Sequence, residues 1–133
     1  DAEVAKIQAG ATNRPPAQAA WGIQARNLKK LADAGMTIAV GTDGNTAWAP
    51  HVEMADMVVA GMTPMQVIVA ATKNGAEFLR MSDTGTIAAG KNADLLVLDA
   101  SPVEDITNTR RISAVYLKGV AVNRAASRPA GAQ

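Results

Sequence analysis

The hydrophobic pattern changes its period twice along the chain. Residues 1–16 are polar and broken by Pro15-Pro16, with room for a short helix at about 4–9. From Ala17 to Ala34, Trp21, Ala25, Leu28, Leu31 and Ala32 recur at helical spacing, which predicts one amphipathic helix. Lys29 and Lys30 suit its C-terminal dipole, and Gly35 is the expected stop. Met36–Val40 is then a continuous apolar run interrupted only by Thr37. Such a run suits a strand covered on both faces, as in a parallel sheet. Gly41 lets the backbone turn, and Thr42 and Asp43 stand where the strand leaves the sheet. Ligands gather at the carboxyl ends of strands in α/β folds, so Asp43 is the first candidate for chemistry. Asp43-Gly44 is also a common turn dipeptide, and on this stretch alone the turn is the favoured reading.

Helical spacing resumes after the loop that carries Trp48. His51–Ala60 places Val52, Ala55, Val58 and Val59 on one side, with Gly61 as its stop. Thr63-Pro64-Met65-Gln66 is a helix start: Thr63 as N-cap, Pro64 at N1 and Gln66 at N3. That helix is expected to reach about Thr72, with a bend at Asn74-Gly75 before a further helical segment to Arg80. From residue 83 the period shortens. Segments 84–87, 88–91 and 93–99 read as short strands and turns, and Ser101-Pro102 opens a loop containing Glu104 and Asp105. Ile112–Leu117, the turn Lys118-Gly119 and Val120–Val122 read as a hairpin. The pattern divides the chain into an α/β part at 1–84, a β segment at 85–123 and a tail at 124–133 expected to be disordered.

Composition narrows the function classes. The 133 residues have 48% hydrophobic and 19% charged content, which fits a globular chain able to bury a core. A net charge of +1 and only four aromatic residues argue against a nucleic-acid partner. There is no cysteine, so thiolate nucleophiles, disulfides and Cys-based metal sites are excluded, and the cytoplasm and periplasm both stay open. No apolar stretch approaches the roughly eighteen residues of a membrane-spanning helix. Met54, Met57, Met62 and Met65 fall at helical spacing and are expected to fill the core.

One ordered set of segments identifies the family. Gly41-Thr42-Asp43 is followed by His51-Val52-Glu53, Ala60 to Gln66 and Ala70 to Glu77. Then come Gly85 to Leu95, Asp99 to Pro102 and Val115 to Gly119. From Trp21 to Asn123 this order resembles the C-terminal part of the metal-dependent amidohydrolases, in the imidazolonepropionase-like and prolidase-like branch. The resemblance implies an α/β fold: the end of a (β/α)8 barrel followed by strands of a small β-sandwich. Met36–Val40 becomes the last barrel strand, and residues 85–123 become returning sandwich strands. It implies a divalent metal, zinc above all, with one or two ions in the complete enzyme. It also implies hydrolysis of an amide, peptide or cyclic C–N bond in a small-molecule or peptide-like substrate.

By the same resemblance Asp43 is the acid after the last barrel strand. It ligates metal or hydrogen-bonds the metal-bound water, and it shuttles the proton. His51 is a candidate substrate contact, weighed evenly against a plain helix residue. Trp48 is assigned to the barrel rim, and Glu53 and Asp56 to the helix dipole. The chain departs from the family where it matters. A full barrel needs about 250 residues, and the family's paired histidines and bridging lysine have no counterpart among these 133 residues. The expectation is therefore a C-terminal fragment, inactive and weakly zinc-binding alone, that associates with itself or with the missing barrel part. The alternative is a non-catalytic α/β scaffold or binding module derived from that fold.

Overall fold

A computed structural model describes residues 15–44 and 46–124. The expected short helix near 4–9 and the tail expected to be disordered, apart from Arg124, lie outside the described residues. Helix α1 spans Pro15–Asp33, α2 Ala49–Val59, α3 Pro64–Ala71 and α4 Lys73–Phe78. Strand β1 spans Leu95–Leu98, β2 Ile112–Leu117 and β3 Val120–Ala121, and a 3₁₀ helix at Ile106–Arg110 lies between β1 and β2.

Local chemistry sets the helix ends. Gly35, at φ +79°, donates its N–H to Ala32, while Met36 donates to Leu31. These two bonds close α1 with carbonyls that would otherwise be orphaned. At the start of α3, Gln66 N–H donates to Thr63 Oγ1 at 3.2 Å, and Thr63 N–H donates to Gln66 Oε1 at 2.8 Å. That reciprocal pair is the capping box expected from Thr63-Pro64-Met65-Gln66. The break between α3 and α4 falls at Thr72, at φ −123° and ψ −83°, two residues ahead of the expected bend at Asn74.

The core is a methionine-rich cluster under α2 and α3. Met54, Met57, Met62, Val67, Ala70 and Ile106 are buried, with Leu28, Ala32, Ile38 and Val40 packed against them. Three of the four methionines expected in the core are there, but Met65 is half exposed. Trp21 and Leu31 of α1 also stay largely exposed, so α1 buries a narrower stripe than its sequence predicts: Ala25, Leu28 and Ala32.

Met36–Val40 is extended but belongs to no strand ladder among the described residues. Among the described residues the run is held from the helical side. Val40 N–H donates to the Ala70 carbonyl at 3.1 Å, and Asn74 Nδ2 donates to the Ile38 carbonyl at 2.7 Å. Only Ile38 and Val40 are partly covered; Met36, Thr37 and Ala39 face outward. The expected burial on both faces is thus met on one.

The three strands form one antiparallel sheet in the order β1-β2-β3. Leu117 pairs with Val120 across Lys118 and Gly119, whose φ values of +49° and +80° give the tight two-residue turn read from the sequence. The Asp94 carboxylate accepts from Lys118 N–H at 2.7 Å and pins this turn to the start of β1. Segments 84–87 and 88–91, expected as short strands and turns, keep the turns and add no strand among the described residues; Gly85 and Gly90 each sit at φ +82°. The expected loop after Ser101 holds the 3₁₀ helix. Asp105 caps it by accepting from Thr107 N–H at 2.9 Å, and its buried Ile106 joins the helical core.

Gly85 is where the turn meets α4. A Cβ there would lie 2.5 Å from the Ala76 Cβ and 3.1 Å from the Thr72 carbonyl oxygen. Gly85→Ala adds that overlap to a left-handed backbone, and a loss of about 2 kcal/mol or more is expected. A urea unfolding midpoint unchanged from the parent would show that α4 yields freely.

Candidate functional site

The residues around Asp43 are set by a turn. The Thr42 hydroxyl accepts from Gly44 N–H at 3.0 Å, which folds the chain back immediately after the extended run. Asp43 sits inside this turn and is exposed.

Asp43 does not stand alone electrostatically. Glu53 on α2 has its pKa raised, first by burial, then by the charge of Asp56 and then by that of Asp43. Burial likewise raises Asp56. The sequence places Glu53 and Asp56 in the first turns of a helix, with no further role. The fold brings Glu53 into the field of Asp43, a proximity that no local spacing encodes. Among the described residues, no group of three or more His, Asp or Glu side chains could hold a metal ion. The described residues therefore do not fit a complete metal centre, and Asp43 is the sequence-predicted ligand among them.

His51 is engaged elsewhere. Its Nδ1 lies 3.0 Å from Thr109 Oγ1. The Thr109 hydroxyl donates its one proton to the Ile106 carbonyl at 2.8 Å. That leaves its lone pair to accept, so His51 carries its proton on Nδ1 and leaves Nε2 bare. Burial, and then the Arg110 guanidinium, lower the His51 pKa. A neutral imidazole thus ties α2 to the 3₁₀ helix. Sequence spacing weighed His51 only as a substrate contact or a plain helix residue, because a bond to a residue 58 positions away has no local signature. Trp48 stands at the N-cap of α2, half exposed and without a capping side-chain bond.

The depressed His51 pKa makes a pH prediction. The unfolded chain binds a proton at His51 near pH 6.5, and the folded chain binds it only at lower pH. The His51 contribution is therefore complete above about pH 6.5 and is lost as pH falls through the window below it. Unfolding midpoints at pH 7.5 and 5.5 should differ less in His51→Gln than in the parent. Equal differences would remove His51 as the source.

The element order and mixed packing are those of an α/β protein, and comparison with known proteins places it further. A sequence profile of the amidohydrolase family matches residues 4–122. The imidazolonepropionase of Deinococcus deserti is 37% identical over 100 residues, which is 71% of this chain and 25% of that protein. The crystal structure of phenylurea hydrolase B superposes with a TM-score of 0.69 and 31% identity, covering 90% of this chain and 30% of that one. A Xaa-Pro dipeptidase with methionine bound in its active site gives a TM-score of 0.68 and 33% identity, covering 74% and 25%. The chain belongs to the amidohydrolase family, in its imidazolonepropionase-like and prolidase-like branch. It spans about a quarter of the length of the D. deserti relative. Among the described residues, no helix is long and apolar enough to cross a membrane.

Proposed function

We propose that this chain is the C-terminal portion of a metal-dependent hydrolase that cleaves an amide, peptide or cyclic C–N bond, and that Asp43 is its proton-transfer carboxylate. The observation that carries the reading is the segment from Met36 to Gly44: an extended run packed on helices from one side and leading directly into an exposed Asp43. In this reading Met36–Val40 is the last strand of a (β/α)8 barrel, its open face and edges covered by the preceding strands. Residues 85–123 supply the returning strands of a small β-sandwich. The names of the relatives favour a substrate with a bond to nitrogen: an imidazolone, a dipeptide or a urea.

The roles of this chain's residues follow from their chemistry. Asp43, exposed at the end of this run, takes a proton from the attacking water and returns it to the leaving nitrogen. Glu53 is the charged neighbour on the α2 side, its own pKa raised first by burial, then by Asp56 and then by Asp43. A divalent metal such as zinc needs about three or four protein ligands. Those beyond Asp43 would come from outside the described residues. Exposed Phe78, Ile87 and Val120 are surface for the rest of the barrel or for a second copy to cover.

Zinc titration of the 133-residue chain should show no tight stoichiometric site. A longer protein containing these residues should hydrolyse a dipeptide, a urea or an imidazolone and lose that activity on chelation. Tight zinc in the chain alone would move the metal site into it. A longer protein inert on all three substrates would favour the non-catalytic scaffold.

A further inference from the structure

Three helices close with the same pair of backbone bonds, and the third breaks the rule of the first two. Gly35 and Met36 close α1 on Ala32 and Leu31. Gly61 and Met62 close α2 on Val58 and Met57, and Arg80 and Met81 close α4 on Glu77 and Ala76. The turning residue has φ +79°, +106° and +58° respectively. Glycine takes the left-handed conformation without penalty at the first two ends, whereas arginine at the third is strained. Strain retained in a fold is a pointer to use.

Arg80 lines a cleft of about 600 Å³ between α4 and the segment that follows it. Lys73, Lys91, Ser82, Thr84 and Thr86 line it too. Glu77 is the one carboxylate on this wall, and it is already shared with Lys73 at 3.7 Å. The lining therefore carries two net positive charges. Lys91 is held in place by donating to the Thr84 carbonyl at 3.4 Å. Among the described residues, the Arg80 guanidinium has no partner. The opposite wall is rigid because Gly85 packs directly on Ala76.

We propose that this cleft binds a phosphate monoester dianion, gripped by the Arg80 fork and by Lys73 and Lys91, with hydroxyl donors from Ser82, Thr84 and Thr86. Two net positive charges match a dianion better than a carboxylate. A guanidinium offers the bidentate geometry that phosphate oxygens accept. The cleft volume exceeds that of a bare phosphate and lies in the range of small-molecule sites. Met81 and Ala76 give an apolar wall for the ester group. The inference does not depend on Asp43 or on hydrolysis.

The test is titration of the 133-residue chain with phenyl phosphate, inorganic phosphate and benzoate, followed by amide NMR shifts. Ionic strength is fixed and the pH is about 7.5, above the second phosphate pKa of about 6. Phenyl phosphate should give saturable shifts within 73–91 and bind more tightly than either other ligand. Arg80→Gln and Arg80→Gly should both weaken it about tenfold or more, the scale of lost charge-assisted bonds. Only Arg80→Gly should also raise the melting temperature, because it alone relieves the backbone. A purely structural arginine would change stability and leave binding alone. Shifts that do not saturate, benzoate binding as tightly as phenyl phosphate, or unchanged affinity in Arg80→Gln would each overturn the proposal. Inorganic phosphate as tight as the monoester would overturn the ester assignment.

Discussion

Turnover in the complete hydrolase is expected to fall about 10²–10⁴-fold when Asp43 becomes asparagine, the range that a positioned proton carrier contributes. The change keeps the shape of the side chain and removes its charge together with its ability to take up and return a proton. It should leave the fold intact, because Asp43 is exposed and the turn around it is closed by the Thr42 hydroxyl and Gly44 N–H, not by the Asp43 carboxylate. Exposed positions without such contacts usually shift stability by no more than about 0.5 kcal/mol. The decisive comparison is kcat of parent and variant alongside their melting temperatures. A variant with near-normal kcat would take the proton-transfer role away from Asp43. A variant with lost activity and a collapsed melting transition would say that the residue is structural. Glu53→Gln is a useful companion. It removes a neighbouring negative charge and leaves the candidate carboxylate in place, so kcat should not collapse.

What could be read from the sequence was what depends on neighbours a few residues away. The capping box at Thr63 and Gln66, the stop at Gly35 and the turn at Lys118-Gly119 are local hydrogen-bond and φ preferences, and all three stand in the structure. The errors lie where a long-range partner decides. The partners of Met36–Val40 carry no local signature: the bonds it makes among the described residues come from Ala70 and Asn74. The 3₁₀ helix went unread because its signal is one short capping acid, Asp105, with Thr107 two residues on. The candidate site divides in the same way. Asp43 was accessible as a residue at the end of an apolar run. Its electrostatic neighbour Glu53 and the bond from His51 to Thr109 were not, because folding alone brings those residues together.

The second large effect concerns stability and falls on Ile106. This residue belongs to the segment between β1 and β2, yet it is only 5% exposed and sits in the cluster with Met54, Met57 and Val67. Sequence periodicity separates the helical part from the β part near residue 83, while Ile106 inserts one into the other. Truncating a buried isoleucine to alanine costs about 2–5 kcal/mol through lost transfer energy and the cavity left behind. That is a large share of the roughly 5–15 kcal/mol that holds a domain together. Relaxation should recover little here. The Ile106 carbonyl is tied to Thr109, Thr109 is tied to His51 on α2, and Asp105 caps the same turn. The backbone cannot easily move inward to fill the hole. Ile106→Ala should therefore lower the unfolding free energy by that amount, read as a lower urea midpoint at unchanged slope, and the loss should be seen equally by helical circular dichroism and by amide exchange in β1 and β2. A variant in which the helices loosen and the strands keep their exchange protection would mean that the two parts are stabilised separately and that Ile106 is a local contact.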